Sequence, residues 1–173
     1  EQTANASTAT AVARPSSILV IGLGNPILGD DGVGWKVVEE LQSKIGNRKS
    51  KIEFDCLSLG GLSLMERMLG YRRVVIVDSM AAGQSPAGSV SVFPLSSLSD
   101  PMAGHSASTH DTSLLTALET AKAMGLPIPK SVDIVAIEAR NVYDFSEELS
   151  QPVADAVVVA VQAVMDLLSK EEP

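Results

Sequence analysis

Aromatic residues are scarce in this chain: Phe, Tyr and Trp make up 3% of 173 residues. That disfavours an aromatic-rich sandwich or barrel. The core must come from the Val, Leu, Ile, Ala and Met that dominate a 45% hydrophobic fraction, which suits a layered α/β protein. Cysteine is scarcer still. The single Cys56 excludes an internal disulfide and a cysteine-built zinc cluster, and fits a reducing cytoplasm. Positive charge is short as well: 13 Lys and Arg stand against 21 Asp and Glu, a net charge of -8. A nucleic-acid surface needs the opposite sign, so no nucleic-acid partner is expected. No apolar run approaches the roughly 18 residues of a bilayer span, so no membrane partner is expected either. The opening stretch, EQTANASTATAVARPSS, lacks the basic start and long apolar segment of a signal peptide. Residues 1–16 are expected to form a disordered tail, and 17–173 one domain.

Within that domain, apolar runs and helical periodicities alternate. Ser17–Leu23, a continuous apolar run, and Arg73–Ser79, built on Val74–Val77 and ending in Asp78, read as parallel strands buried on both faces. Lys51–Leu57, Gly88–Pro94 and Ser131–Ala139 read as further strands, the fourth with alternating residues and Pro94 at its end. Gly32–Ile45 reads as a helix with Val37, Val38, Leu41 and Ile45 on one face, stopped by Gly46-Asn47. Leu62–Leu69 and a segment from Asp111 or Thr112 to Met124 read as helices, separated from their neighbours by glycine and proline. The last helix is predicted over Pro152–Ser169, with Val153, Val157, Val161, Val164 and Leu168 at helical spacing and Pro152 in its first turn. The order βαβαββαβα implies an α/β fold with a mostly parallel five-stranded sheet and helices on both faces. Ligands of such sheets sit at the carboxyl ends of the strands.

The loop after the first strand, GLGNPILGDDGVG, is glycine-rich but is not a phosphate cradle. Ile27 stands where a dinucleotide fingerprint needs its third glycine, and no Gly-Lys-Ser/Thr follows. Asp30 and Asp31 would repel a pyrophosphate and suit a cation. The topology brings Asp30/Asp31, Asp78 and the segment carrying His105 and His110 to one sheet edge, where carboxylates and an imidazole can surround a divalent metal. Each residue also has a plainer reading. Asp30 or Asp31 can cap the helix that follows. Asp78 can close a turn, and His110 can be an ordinary polar residue at a helix start. Asp30 is assigned the cap or loop role and Asp31 the functional one. His105 is the weaker histidine, and Glu138, closing the fifth strand, is read as structural ahead of a cleft-lining role. A Ser-His-Asp triad around His110 is disfavoured because its partners are sequence neighbours and no G-x-S-x-G elbow exists. Cys56 lies inside a strand, where a small apolar role outweighs a nucleophilic one.

Taken whole, GLGNPILGDDGVG (Gly22–Gly34) resembles the N-terminal signature of the hydrogenase maturation proteases. VVIVDSM resembles that family's third strand with its terminal Asp, and STHDTSLL the segment carrying its His. IEARNVYDFSEELSQPV resembles its late strand and the start of its last helix. The resemblance runs from about Ser17 to the end and implies a phosphorylase/hydrolase-like fold. It implies an aspartyl-type endopeptidase that trims the C-terminal extension of a nickel–iron hydrogenase large-subunit precursor in the cytoplasm. The family's metal-contacting residues fall on Asp31, Asp78 and His110, which the resemblance makes both the metal and the catalytic set. Nickel is then recognised in the substrate, with no permanently bound cofactor, by an enzyme expected to act as a monomer. The alternative is a non-catalytic nickel-sensing or large-subunit-binding module on the same scaffold. One segment departs from the pattern: many members carry D-G-G-T after the second strand, where this chain has Ser58–Ser63, SLGGLS. Peptidyl-tRNA hydrolase shares the GLGNP start, but ILGDDGVG follows here, and the acidic balance disfavours a tRNA ligand.

Overall fold

Uninterrupted apolar segments become the central strands. In the computed structural model these are β1 (Arg14–Leu23), β3 (Tyr71–Met80) and β5 (Ser131–Glu138). The structure describes residues 14–46, 51–99 and 109–170, with side chains for 18–46, 51–98 and 114–170. Two shorter strands, β2 (Ile52–Leu57) and β4 (Val90–Pro94), form the edges of a five-stranded sheet ordered β2-β1-β3-β5-β4. β4 pairs antiparallel with β5, and the other pairs are parallel. Four helices connect them: α1 (Val33–Ile45), α2 (Gly61–Met68), α3 (Thr109–Ala123) and α4 (Gln151–Ser169). The predicted order of elements and the mostly parallel sheet are therefore the observed ones.

Strand alternation sorts the core into two layers. Val20, Val75, Val77, Val135 and Ile137 face α1 and α4, where Val37, Val38, Leu41, Val153, Ala160, Val161 and Val164 close over them. Leu19, Ile21, Val74, Ile76 and Ile134 face α2 and α3, against Leu64, Met68, Leu114 and Ala121. Arg73 is buried at the far end of the sheet. Its guanidinium donates to Asp133 and to the Leu167 carbonyl, fastening the last turn of α4 to β3.

Several boundaries differ from the sequence reading. β1 starts at Arg14 rather than Ser17, with Arg14 opposite Tyr71 and an irregular register before Ile18. Residues 1–13, most of the expected tail, lie outside the described residues, as do His105 and the centre of the Ser96–Thr109 loop. That loop opens with a 3-10 turn, Leu95–Ser99. α3 starts at Thr109, ahead of the predicted Asp111 or Thr112. The alternation of β4 does not hold as read: Val92 is 47% exposed at the sheet edge, and Phe93 turns into the α2/α3 layer. The expectation that no segment has the makings of a bilayer span also needs correction. α4 has 19 residues with a mean hydropathy of 1.6, enough by length and composition. It packs as a core helix, with Val153, Ala156, Ala160, Val161, Val164 and Leu167 buried.

Candidate active site

The first βα connection is pulled tightly against the sheet, and glycine makes this possible. A Cβ on Gly34 would lie 2.4 Å from the Val77 carbonyl oxygen and 2.5 Å from that of Leu23. A Cβ on Gly22 would lie 2.4 Å from the Gly34 oxygen. Backbone therefore packs on backbone where β1, β3 and the start of α1 meet. The glycines hold the loop close to the strand ends. The chain turns through a 3-10 turn, Gly29–Gly32, which places Asp30 and Asp31 side by side in opposite roles.

Asp30 points inward and is fully buried. Its Oδ1 accepts the Ser150 N–H at 2.7 Å, and its Oδ2 accepts the Ser150 hydroxyl at 2.9 Å and the Asn141 N–H at 3.2 Å. It clasps the β1–α1 loop to the segment that leads into α4. Neither aspartate caps a helix: the residues capping the 3-10 turn and α1 are Leu28 and Gly32, without side-chain hydrogen bonds. Of the cap or loop role assigned to Asp30, the structure shows the loop one, a clasp between two distant loops.

Asp31 faces the other way, into a cleft of about 220 Å³ lined by Leu23, Gly24, Asn25, Asp31, Ser58, Leu59 and Asp78. This is the crevice beyond the carboxyl ends of β1, β2 and β3. It is also a topological switch point, because α1 leads from β1 to one side of the sheet and α2 returns the chain to the other. Asp31 and Asp78 thus meet as the sequence reading required. The described lining carries two acids and no base, so it suits a cation or a polarised water and repels an anion.

The two carboxylates are held by residues that the sequence reading did not single out. Ser79 serves both: its hydroxyl donates to Asp31 Oδ1 at 2.9 Å, and its N–H donates to Asp78 Oδ1 at 2.8 Å. The Asn25 N–H fixes Asp31 Oδ2 at 2.7 Å. The Ser58 hydroxyl donates to the Gly24 carbonyl at 2.6 Å, tying the β2–α2 loop to the β1–α1 loop. A carboxylate in the position of Ser58 could not donate that bond. The available signal for Ser79 was a polar residue following an Asp at the end of a buried strand.

His110 is the second residue of α3, and its side chain lies outside the described residues. Among the described residues, no group of three or more His, Cys, Asp and Glu is arranged to hold a metal ion. Glu138 is 5% exposed and accepts the Gly83 N–H at 2.6 Å, a structural bond as expected. Cys56 is half-buried in β2. Burial, with Glu39 and Asp55 nearby, pushes its thiol up to about 11, which makes it a poor nucleophile near neutrality.

Comparison with known proteins decides the family. The HycI model, described as hydrogenase maturation protease, matches residues 35–167. This chain belongs to the hydrogenase maturation protease family. By class it is therefore a peptide-bond hydrolase working in hydrogenase maturation. It is similar to the hydrogenase expression/formation protein HupD of Rhizobium leguminosarum, at 23% identity over 87% of this chain and 73% of the relative. In fold, the hydrogenase maturation protease described here is similar to the hydrogenase maturating endopeptidase HybD of E. coli. That structure has a TM-score of 0.71 at 21% identity, covering 88% of this chain and 91% of the other. The hydrogenase 2 maturation peptidase of a thaumarchaeon is 27% identical with a TM-score of 0.63, covering 90% and 99%.

Proposed function

We propose that this maturation protease removes the C-terminal extension of a nickel–iron hydrogenase large-subunit precursor after nickel insertion, with Asp31, Asp78 and His110 facing the substrate's nickel centre. The observation that carries the proposal is the convergence of Asp31 and Asp78 on one acidic cleft at the switch point of the sheet. Two carboxylates held by donated hydrogen bonds present hard oxygen ligands to a divalent cation. Asp31 and Asp78 reach the cleft from different elements, the β1–α1 loop and β3 respectively, so a metal-containing centre docked there would touch both. In this reading His110, at the start of α3, supplies the third contact.

Hydrolysis adds one water across the scissile peptide bond. The retained large subunit gains a carboxylate, and the released peptide carries away the amine. No serine elbow is present and the Cys56 thiol stays protonated, so the attacking group is a water activated by a site carboxylate or by the substrate's nickel. The enzyme holds no permanent metal in this account. It works as a monomer in the cytoplasm, and nickel in the precursor serves as the licence for cleavage.

Substituting Asp31, Asp78 or His110 by Ala is expected to reduce processing of nickel-loaded precursor by roughly 100-fold or more, while far-UV circular dichroism and the melting transition stay close to wild type. Full activity in all three variants would overturn the assignment. Tight binding of free nickel by the protein alone, with no cleavage, would favour the non-catalytic sensor instead.

A further inference from the structure

Six aromatic residues serve the whole chain. Tyr71 and Phe93 are buried, and Trp35 and Phe54 are partly covered. The remaining two, Tyr143 and Phe145, stand 86% and 87% exposed on the connection from β5 to α4. An exposed aromatic pair in so aromatic-poor a chain is unusual, because nothing in the fold uses the apolar area it presents to water.

The loop displaying them is fastened to the loop that carries Asp31. Leu28 and Ser146 form a parallel bridge. The Gly29 N–H donates to the Ser146 carbonyl at 2.7 Å, and the Ser146 N–H donates to the Ile27 carbonyl at 3.1 Å. The Asp30 clasp closes the same junction from inside. Ile27, on the site loop itself, is 46% exposed. The aromatic loop is therefore pre-ordered and continuous through the backbone with one wall of the cleft, so a partner engaging both meets little ordering cost. Asp144, Glu147 and Glu148 are exposed on the same connection against one exposed cation, Arg140, whose guanidinium donates to the Ser85 carbonyl, so the border is acidic on balance.

We infer that Tyr143 and Phe145, with Ile27 beside them, form the docking element for the precursor protein, taking an apolar recess bordered by Lys or Arg on the large subunit. This rests on the proposed function for the identity of the partner. Exposed aromatics in a polar border are the composition of interface anchors, and the acidic border speeds approach of a basic surface and disfavours nucleic acid.

The test compares three proteins by biolayer interferometry on immobilised large-subunit precursor from the same genome, nickel-free and nickel-loaded. They are the wild type, the double variant Tyr143→Ser/Phe145→Ser, and a control, Val158→Ser/Val159→Ser, which removes exposed apolar area from α4. The expected result is affinity weakened roughly 10- to 100-fold in the aromatic variant alone, with unchanged melting, and wild-type binding that weakens with added salt. Unaltered binding by the aromatic variant, equal loss in both variants, or no binding by wild type to either form would each overturn the docking assignment. Wild type that binds through the pair but does not cleave would overturn the peptidase reading and leave the docking element standing.

Discussion

Replacing Asp30 tests whether the site loop is held by one buried carboxylate. Asp30 is fully buried and accepts three hydrogen bonds, two from Ser150 and one from Asn141. Asp30→Ala leaves two backbone N–H groups and one hydroxyl without their acceptor. A hydrogen bond to a charged group contributes about 1.5–3 kcal/mol, and a stranded buried donor costs about 1–3 kcal/mol. The hydroxyl can rotate toward another acceptor, and a water can enter the space left by the carboxylate. The expected loss is therefore about 3–5 kcal/mol rather than the full sum. Asp30→Asn keeps the shape. Its carbonyl can still accept from the Ser150 N–H at Oδ1, and its amide can donate to the Ser150 hydroxyl, but then faces the Asn141 N–H as donor against donor. About 2 kcal/mol is expected for that single mismatch. Urea unfolding followed by circular dichroism reads both values from the midpoint at constant slope. A loss below about 1 kcal/mol for Asp30→Ala, or a larger loss for Asn than for Ala, would refute the clasp.

The pair bridged by Ser79 gives a second prediction. Ser79→Ala removes the hydroxyl held 2.9 Å from Asp31 and should lower processing roughly 10- to 100-fold with little change in melting, while Ser79→Thr, which keeps the donor, restores most of it. Equal loss in Ala and Thr variants would assign Ser79 to packing alone. Cys56 gives a pH prediction. With its thiol pushed up from 9.0 to about 11, the folded chain keeps its proton through a window in which the unfolded chain loses it. Stability should therefore fall as pH rises from about 9 to about 11, and at pH 8 a thiol reagent should label the folded protein roughly 100-fold more slowly than the urea-unfolded chain. Equal labelling rates would contradict the shift.

The strands were legible because parallel strands buried on both faces leave uninterrupted apolar runs such as Leu19–Ile21 and Val74–Val77. The edges were less so. In β4 the alternation of Val90 and Val92 suggested one buried face, yet edge position left Val92 in solvent and buried Phe93. Periodicity located α4 but gave no warning that its composition also satisfies a bilayer span. Within the site, the two aspartates were visible as residue types, and the structure separates their duties, with Asp30 buried in its clasp and Asp31 lining the cleft. Their partners were not visible. Ser150 lies 120 residues from Asp30, and Ser79 lies 48 from Asp31, separations across which a sequence carries no local pattern. The glycines of GLGNPILGDDGVG were legible as a tight loop, but the backbone packing of Gly22 on the Gly34 carbonyl and of Gly34 on strand carbonyls became evident only in three dimensions.

The most direct test of the central claim is intact-mass spectrometry of the large-subunit precursor from the same genome, incubated with this protein once nickel-loaded and once nickel-free. The account predicts loss of a single C-terminal peptide from the loaded precursor and an unchanged mass for the nickel-free one. Cleavage of both forms alike would contradict nickel as the licence, and an unchanged mass for properly loaded precursor would contradict the peptidase assignment itself.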